Sequence, residues 1–471
     1  MKSLMDRVIM PATETINFEA FNAITPNTGV VKKEGQILPG FSNIWYEYLP
    51  TDYDPSQKYP LVIQIHGGGQ DGMRWADITE WHAVAEREKF IVIYPNSLHP
   101  GRWDCDDQDV NYLCKLIEHM EKNYSIDPQR IYMQGMSNGD MMTLSFTMKH
   151  PELIAAAGYT SGPCAKEGID GEKPVGDLPI MQERGELDLN WMLTPETEDV
   201  YHNRYTLNDE NRELWEAVNG TEDVLPALAI CGKDNFLIYQ GTRAPIINWE
   251  IKDMGHREPV YSAEIYWDYL YSHCRLVDGK HQYLADANPL KAQEDLYVFA
   301  LGSNKVYHKN QLLPLAPEPQ AITRVMLPAK VPHFAPLKLN EMCQSEVICA
   351  PVDFLETCFG ARITHKDAGK LVEIRLKDDR NVILRHGSLL VEVDGKFMAM
   401  QKPCLLLYGF LYVPIAEFCC MVLGLQVSVA HDVVCVSDHY ALLGKYTARI
   451  LCRLMGGRMR PHEKVEWEEW R

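Results

Sequence analysis

The stretch that decides the fold is Arg130-Ile-Tyr-Met-Gln-Gly-Met-Ser-Asn-Gly139. Residues 130–134 are typical of a buried β-strand, and residues 141–148 have the composition and spacing of a helix. Between them stands a G-x-S-x-G motif, in the strand–turn–helix context where that motif has chemical meaning. Small residues on both sides of Ser137 permit a sharp turn that raises its hydroxyl at the C-terminal end of a sheet. Ser137 is therefore the candidate nucleophile.

Around this motif, strand-like and helix-like runs alternate from about residue 40 to 275. Residues 59–65 and 90–94 are apolar strands, whereas 109–123 places apolar residues at helical spacing. The alternation predicts an α/β fold with a doubly wound, mostly parallel sheet. Ile44, Tyr46 and Tyr48 alternate with other residues, which predicts an edge strand.

The apolar strand 59–65 ends in His66-Gly67-Gly68-Gly69. A serine that attacks a carbonyl needs hydrogen-bond donors for the oxyanion that forms. Glycines let backbone amides point into a site, so the amide of Gly67 or Gly68, together with that of Asn138, is the candidate oxyanion hole. The alternative is that the glycines form only a flexible turn.

His256 is the candidate base among 16 histidines. It follows the strand-like residues 246–251 and precedes a helical stretch, and in α/β-hydrolases the base lies in such a late loop. The order serine, acid, histidine leaves two strand-end carboxylates, Asp188 and Asp234. We favour Asp188 as the orienting acid and keep Asp234 as the alternative; the other carboxylate would serve a turn.

Charge and composition exclude several classes of function. A formal net charge of −19 argues against a nucleic-acid partner, because phosphate binding needs a basic surface. Neither a signal-like apolar run nor a stretch of about 18 apolar residues is present, so we expect a cytoplasmic protein without a membrane span. The 13 cysteines are scattered without metal-ligand spacing. We expect neither a metal nor a cofactor.

Proline-rich residues 276–335 mark a change of character along the chain. We predict a catalytic domain with an N-terminal extension at 1–278, a linker at 279–294, an α+β module at 295–450 and a tail at 451–471. The module contains an internal repeat, with copies at 346–374 and 410–436 whose glycines, Gly360 and Gly424, lie 64 residues apart. Each copy predicts a strand, a helix, a glycine cap and a hairpin.

From about Asn43 to Cys274 the chain resembles the polyhydroxybutyrate depolymerase and feruloyl esterase branch of the α/β-hydrolases. The similarity runs through the glycine loop, residues 106–113 and 124–132, the serine motif and Met254-Gly-His256. The branch carries a G-x-x-D or G-E-x-D loop for its acid, which matches Gly185 to Asp188. The resemblance implies a triad of Ser137, His256 and Asp188. Asp140 departs from the pattern, since a further small residue is usual there.

Residues 295–445 resemble the copper amine oxidase N-terminal domain, a stalk-like and noncatalytic module. This resemblance implies no copper site, and His431 and His439 have no further ligands nearby in the sequence. We expect the module to dock on the catalytic domain or to form a homo-oligomer.

These features together predict a serine esterase that acts on a small-molecule carboxylic ester through an acyl-enzyme. Two alternatives stay open. One is a serine peptidase for short peptides, and the other is a catalytically inactive binding protein of the same fold.

Overall fold

The computed structural model describes residues 29–162, 171–188, 204–284, 296–315, 322–327 and 345–457. The chain divides into two compact units: residues 1–229 with 234–291, and residues 230–233 with 292–471.

A ten-stranded sheet runs through the first unit. Its strands are β1 (Val31–Gly35), β2 (Asn43–Tyr48), β3 (Tyr59–Ile65), β4 (Ile91–Pro95), β5 (Ile126–Met136), β6 (Ala156–Thr160), β7 (Ile180–Gly185), β8 (Ala227–Cys231), β9 (Asp234–Tyr239) and β10 (Ile246–Ile251). In space they follow the order β1-β2-β4-β3-β5-β6-β7-β10-β9-β8. The neighbouring strands from β4 to β10 are parallel, whereas β1 with β2, β2 with β4 and β10 with β9 are antiparallel.

The helices of the first unit alternate with these strands. They are α1 (Gly72–Thr79), α2 (Trp81–Glu88), α3 (Asp107–Asn123), α4 (Asn138–Lys149), α5 (Arg204–Asn219) and α6 (Ser262–Tyr269), with short 3₁₀ turns at Pro151–Leu153 and Tyr271–His273. Asp106 starts α3 by accepting bonds from the amides of Gln108 and Asp109, which satisfies donors that have no partner within the helix. Strands β3 and β4 are buried along their whole length, as expected for interior strands of a parallel sheet.

One expectation about the sheet is wrong. Strand β2 does not lie at the edge, because β1 pairs with it on the outside. The sequence of β1, Val-Lys-Lys-Glu-Gly, is mostly polar and exposed, so it lacks the apolar alternation by which strands are recognised.

The first unit ends with a hairpin formed by β11 (Cys274–Val277) and β12 (Lys280–Tyr283). This second strand falls within the residues that the sequence assigned to a linker, and the division between the units falls after residue 291.

The second unit consists mostly of antiparallel strands. They form three sheets: β15 (Gln311–Pro314), β14 (Lys305–His308), β13 (Leu296–Ala300), β26 (Val433–Ser437) and β25 (Gln426–Ala430); β16 (Thr323–Leu327), β17 (Ser345–Pro351), β24 (Phe410–Pro414) and β23 (Leu405–Leu407); and β18 (Arg362–Lys366), β19 (Leu371–Arg375), β20 (Asn381–Arg385), β21 (Leu390–Val393) and β22 (Lys396–Ala399). The helices are α7 (Phe354–Phe359), α8 (Ile415–Met421) and α9 (Lys445–Leu454), with a 3₁₀ turn at Asp367–Gly369.

The two stretches that suggested a repeat carry the same order of elements. Strand β17, helix α7 and the hairpin β18–β19 make up the first, and β24, α8 and β25–β26 make up the second. Gly360 and Gly424 follow the helices with φ of 64° and 70°, a left-handed conformation that glycine adopts without strain. That the two stretches are copies of one repeat stays a prediction, and so does the resemblance to the copper amine oxidase domain.

Helix α9 ends at Leu454, past the predicted start of the tail at residue 451. Most of that tail lies outside the described residues.

Candidate active site

Ser137 occupies the turn between strand β5 and helix α4. Its backbone has φ 57° and ψ −113°, a conformation that costs a non-glycine residue about 1–3 kcal/mol. The turn is fixed by a hydrogen bond of 2.8 Å from the Ser137 amide to the carbonyl of Thr160 on the neighbouring strand. Ser137 therefore lies at the C-terminal end of the sheet, directly before the N-terminus of a helix.

The two glycines of the motif are required by space. A Cβ atom at Gly135 would lie 2.2 Å from the Gly139 carbonyl oxygen, and one at Gly139 would lie 2.3 Å from that of Ile65. Both distances are below any real contact and involve backbone atoms, which cannot move aside cheaply. The motif thus reflects the close approach of helix α4 to the strand ends, as its sequence context predicts.

His256 and Asp188 form a hydrogen-bonded pair. The His256 Nδ1 atom lies 2.6 Å from the Asp188 Oδ1 atom, and the Asp188 side chain is fully buried. A carboxylate accepts the Nδ1 proton, which leaves Nε2 of the ring with a lone pair. The imidazole is thus oriented as a base would need to be.

Asp234, the alternative acid, has other partners. It opens strand β9, where its Oδ1 atom accepts a bond of 2.8 Å from Trp249 Nε1 and one of 3.1 Å from the Tyr261 hydroxyl. These contacts give Asp234 a packing role at the other side of strand β10.

The loops that carry Asp188 and His256 are joined to each other by backbone and side-chain contacts. The Leu187 amide donates to the Met254 carbonyl at 2.8 Å. Glu186 accepts from Lys252 Nζ at 3.3 Å and from the Asp253 amide at 3.2 Å. A Cβ atom at Gly185 would lie only 2.3 Å from the Met254 carbonyl oxygen, so this close approach requires glycine.

Ser137, Asp188 and His256 follow strands β5, β7 and β10. These strands run in the same direction, with β6 between β5 and β7 and with β10 next to β7. The three side chains therefore leave the sheet at the same edge. Since neighbouring strands are about 4.8 Å apart, β5 and β7 are separated by roughly 10 Å, a gap that loops bridge readily.

The glycine loop after β3 lies against the serine turn. A Cβ atom at Gly67 would be 3.8 Å from the Ser137 Cβ, and one at Gly68 would be 3.8 Å from the Asn138 Cβ. The sheet order explains this proximity, because β3 is the direct neighbour of β5.

Buried His66 fixes the direction of the glycine loop. Its Nε2 accepts from the Ser97 amide at 3.2 Å, so its Nδ1 carries the proton and donates to the Gly67 carbonyl at 2.9 Å. Burial lowers the pKa of His66, which agrees with a neutral ring. Because a trans peptide places carbonyl and amide on opposite sides, the Gly68 amide points away from His66. The Gly67 amide instead donates to Gln70 Oε1 at 3.3 Å.

Asn138 is held by a residue that the sequence had not marked for this role, Trp103. The Asn138 Oδ1 atom accepts from the Trp103 amide at 2.8 Å, and Nδ2 donates to the Trp103 carbonyl at 3.0 Å. The Trp103 ring also contacts His66 and donates to its carbonyl at 3.1 Å. Trp103 therefore joins both halves of the candidate oxyanion hole. No short motif carries this signal, because it depends on contacts between distant segments.

Asp140 is almost completely buried behind the serine turn. Its Oδ2 atom accepts from the Gly162 amide at 2.7 Å, and a Cβ atom at Gly162 would collide with the Asp140 carboxyl group. Burial raises the pKa of Asp140 to about 8, so the group holds its proton at neutral pH. The unusual residue after Gly139 thus fills a space that Gly162 leaves open.

A cavity of about 490 Å³ lies beside the glycine loop. Polar side chains from Gln70, Asp71, Arg74 and Asn96 line it, together with Phe41 and buried His66. It offers hydrogen-bond donors and acceptors of both charges within reach of the loop that contacts Ser137.

Two kinds of feature were searched for among the described residues alone. No helix there is long and apolar enough to cross a membrane. No group of three histidine, cysteine or acidic side chains there could hold a metal ion.

The sheet order, the strained serine between strand and helix, and the acid–base pair on later strands define an α/β-hydrolase. Residues 45–174 match the family model described as esterase PHB depolymerase. The expected resemblance to this branch is thereby confirmed for the part of the chain that contains the glycine loop and Ser137.

Curated relatives carry ester-hydrolase names. A bifunctional acetylxylan esterase/xylanase from Neocallimastix patriciarum is 32% identical over 143 residues, which cover 30% of this chain and 21% of that protein. A poly(3-hydroxyalkanoate) depolymerase C from Paucimonas lemoignei is 29% identical over 115 residues, covering 22% of this chain and 28% of that protein. The chain thus matches less than a third of the length of either relative. Among solved structures, an acetyl xylan esterase from Aspergillus awamori aligns with a TM-score of 0.41 at 17% identity, over 50% of this chain and 97% of that one.

Proposed function

We propose that this protein is a serine esterase that hydrolyses carboxylic esters through an acyl-enzyme on Ser137. The observation that carries the proposal is the 2.6 Å bond between His256 and buried Asp188, on loops that share a sheet edge with the strained serine. Ester-hydrolase relatives that match the serine-bearing segment add support.

In the first step, His256 Nε2 takes the proton of Ser137 as the hydroxyl oxygen attacks the ester carbonyl. Asp188 accepts the Nδ1 proton and stabilises the imidazolium that forms. The imidazolium then gives its proton to the departing alcohol. Water, activated by the same base, releases the acid from Ser137 in the second step.

The oxyanion of each tetrahedral intermediate needs two donors. We assign them to the amides of Gly68 and Asn138. The Asn138 amide opens helix α4 and has no partner within the helix. We prefer Gly68 to Gly67, because the Gly67 amide already donates to Gln70. The polar cavity beside the glycine loop is the candidate site for the part of the substrate remote from the ester.

Replacement of Ser137 by alanine tests this function. We expect hydrolysis of p-nitrophenyl acetate to fall by roughly 10⁴- to 10⁶-fold, with an unchanged thermal unfolding curve. A fluorophosphonate probe should label the wild type once and leave Ser137→Ala unlabelled. Hydrolysis by the variant at close to the wild-type rate would refute the assignment.

The two alternatives give different results in the same assay. A wild-type protein that is neither labelled nor active on any ester would be an inactive binding protein. A panel of short peptide amides beside acetyl and aryl esters separates a peptidase from an esterase. We expect turnover of the esters only.

A further inference from the structure

The loop that carries His256 runs from the end of strand β10 to the start of helix α6. Its bonds through Leu187 and Glu186 join it to the Asp188 loop, and these fix the acid relative to the base. They do not join it to strand β5, which ends at the nucleophile. The separation of base and nucleophile therefore needs a contact of another kind.

Glu258, two residues after His256, makes such a contact. Its Oε2 atom accepts a bond of 3.1 Å from Gln134 Nε2. Gln134 is fully buried in strand β5, three residues before Ser137. The same Nε2 atom donates to Thr160 Oγ1 at 2.8 Å, on the neighbouring strand β6. This bond thus connects the base loop with the strand that ends at the nucleophile.

A second buried carboxyl group extends the contact across the sheet. Glu183 on β7 accepts from Thr160 Oγ1 at 3.1 Å and from Ser262 Oγ, at the start of helix α6, at 2.7 Å. The Oε1 atoms of Glu183 and Glu258 are both buried, and neither has a hydrogen-bond partner among the described residues. Buried polar atoms are costly, so a pair of carboxyl groups at this place requires an explanation.

Electrostatics supports a protonated pair. Burial raises the pKa of both carboxyl groups, and the nearness of Glu258 raises that of Glu183 further. Two adjacent buried carboxyl groups cannot both be ionised at low cost. The pair therefore retains a proton, and Glu258 acts through hydrogen bonds rather than as a free anion beside the imidazole.

We propose that Glu258 is a positioning residue for His256: bonded to Gln134, it holds the base loop at the correct distance from the strand that ends in Ser137. The inference rests on the proposed esterase function. It goes beyond the triad because neither Glu258 nor Gln134 touches the reacting atoms.

Leucine and glutamine substitutions at Glu258 test the proposal. Glu258→Leu removes the acceptor, and we expect kcat for p-nitrophenyl acetate to fall by about 10- to 100-fold, since misplacement by about 1 Å can cost that much. KM should stay within about threefold. Glu258→Gln keeps an acceptor for Gln134 and adds a donor toward Glu183, so kcat should stay within about threefold of the wild type.

A double-mutant cycle with Gln134→Met identifies the bond itself. Gln134→Met should lower kcat as Glu258→Leu does, and the double variant should lose little more than the worse single variant. Glu264→Leu, which removes an exposed carboxyl group on helix α6, is the matched control and should leave kcat unchanged. The rate of fluorophosphonate labelling should follow kcat in all variants.

Three outcomes would overturn the proposal. One is wild-type kcat in Glu258→Leu, even if thermal stability falls, because the role would then be structural. The second is an equal loss in Glu258→Gln, and the third is a fully additive cycle. If Glu258→Leu does not fold, Gln134→Met with Glu258→Gln still decides. An inactive wild type refutes the esterase function, whereas an active wild type with an unaffected Glu258→Leu refutes this inference alone.

Discussion

Replacement of Asp188 or Asp234 by asparagine separates the two candidate acids in one experiment. Asp188 is buried and bonded to His256 at 2.6 Å, so Asp188→Asn removes the charge that stabilises the imidazolium and the acceptor that fixes the tautomer. Losses of this kind reach about 10⁴-fold in kcat where the geometry stays intact. We expect a fall of about 10³- to 10⁴-fold, which corresponds to about 4–5.5 kcal/mol of transition-state stabilisation.

Asp234→Asn is the matched variant, because it makes the same chemical change on a nearby strand. Asp234 bonds only packing residues, Trp249 and Tyr261, among the partners described for it above. Its loss should lower the free energy of unfolding by about 1–3 kcal/mol, as expected for hydrogen bonds to a charged group. We expect kcat to stay within about threefold of the wild type.

The assay is steady-state hydrolysis of p-nitrophenyl acetate, with thermal unfolding of each variant as the measure of stability. The reasoning fails if Asp188→Asn retains more than about a tenth of the wild-type kcat. It also fails if Asp234→Asn loses activity to the same degree while remaining folded, because the acid would then be the residue that does not contact His256.

Two further predictions follow from the packing around the site. The raised pKa of Asp140 means that the stability supplied by its protonated form is present at low pH and lost as pH rises from about 4 to about 8. Asp140→Asn should therefore gain stability over the wild type by up to about 1.4 kcal/mol per pH unit within that window, and a constant difference in urea unfolding across it would contradict this. Gly185→Ala should displace Met254 and lower kcat by at least tenfold, whereas Gly255→Ala, where an added Cβ meets nothing within 4 Å, should leave kcat unchanged; equal activity of the two variants would speak against the loop contact.

The local elements of the catalytic unit could be predicted from sequence because their signals are local. The apolar run 59–65, the helical spacing of 109–123 and the glycines around Ser137 each determine their structure over a few residues. Strand β1 gave no such signal, since a polar and exposed strand depends on its partner for its conformation.

The site was predictable only as far as its chemistry follows chain order. Placing the base after the last parallel strand selects His256, but order alone leaves Asp188 and Asp234 open. That choice depends on which carboxylate the folded loops bring to the ring. Contacts such as those of Trp103 with Asn138 join segments distant in sequence, and no spacing rule reveals them.

The cross-linked loops that hold Asp188 and His256 have a consequence for engineering. Because their bonds are largely internal to residues 185–188 and 251–256, acid and base form a cassette that can be transplanted as one piece. Redesign of the rim for new esters can therefore leave proton transfer alone, provided that it spares the backbone of these ten positions.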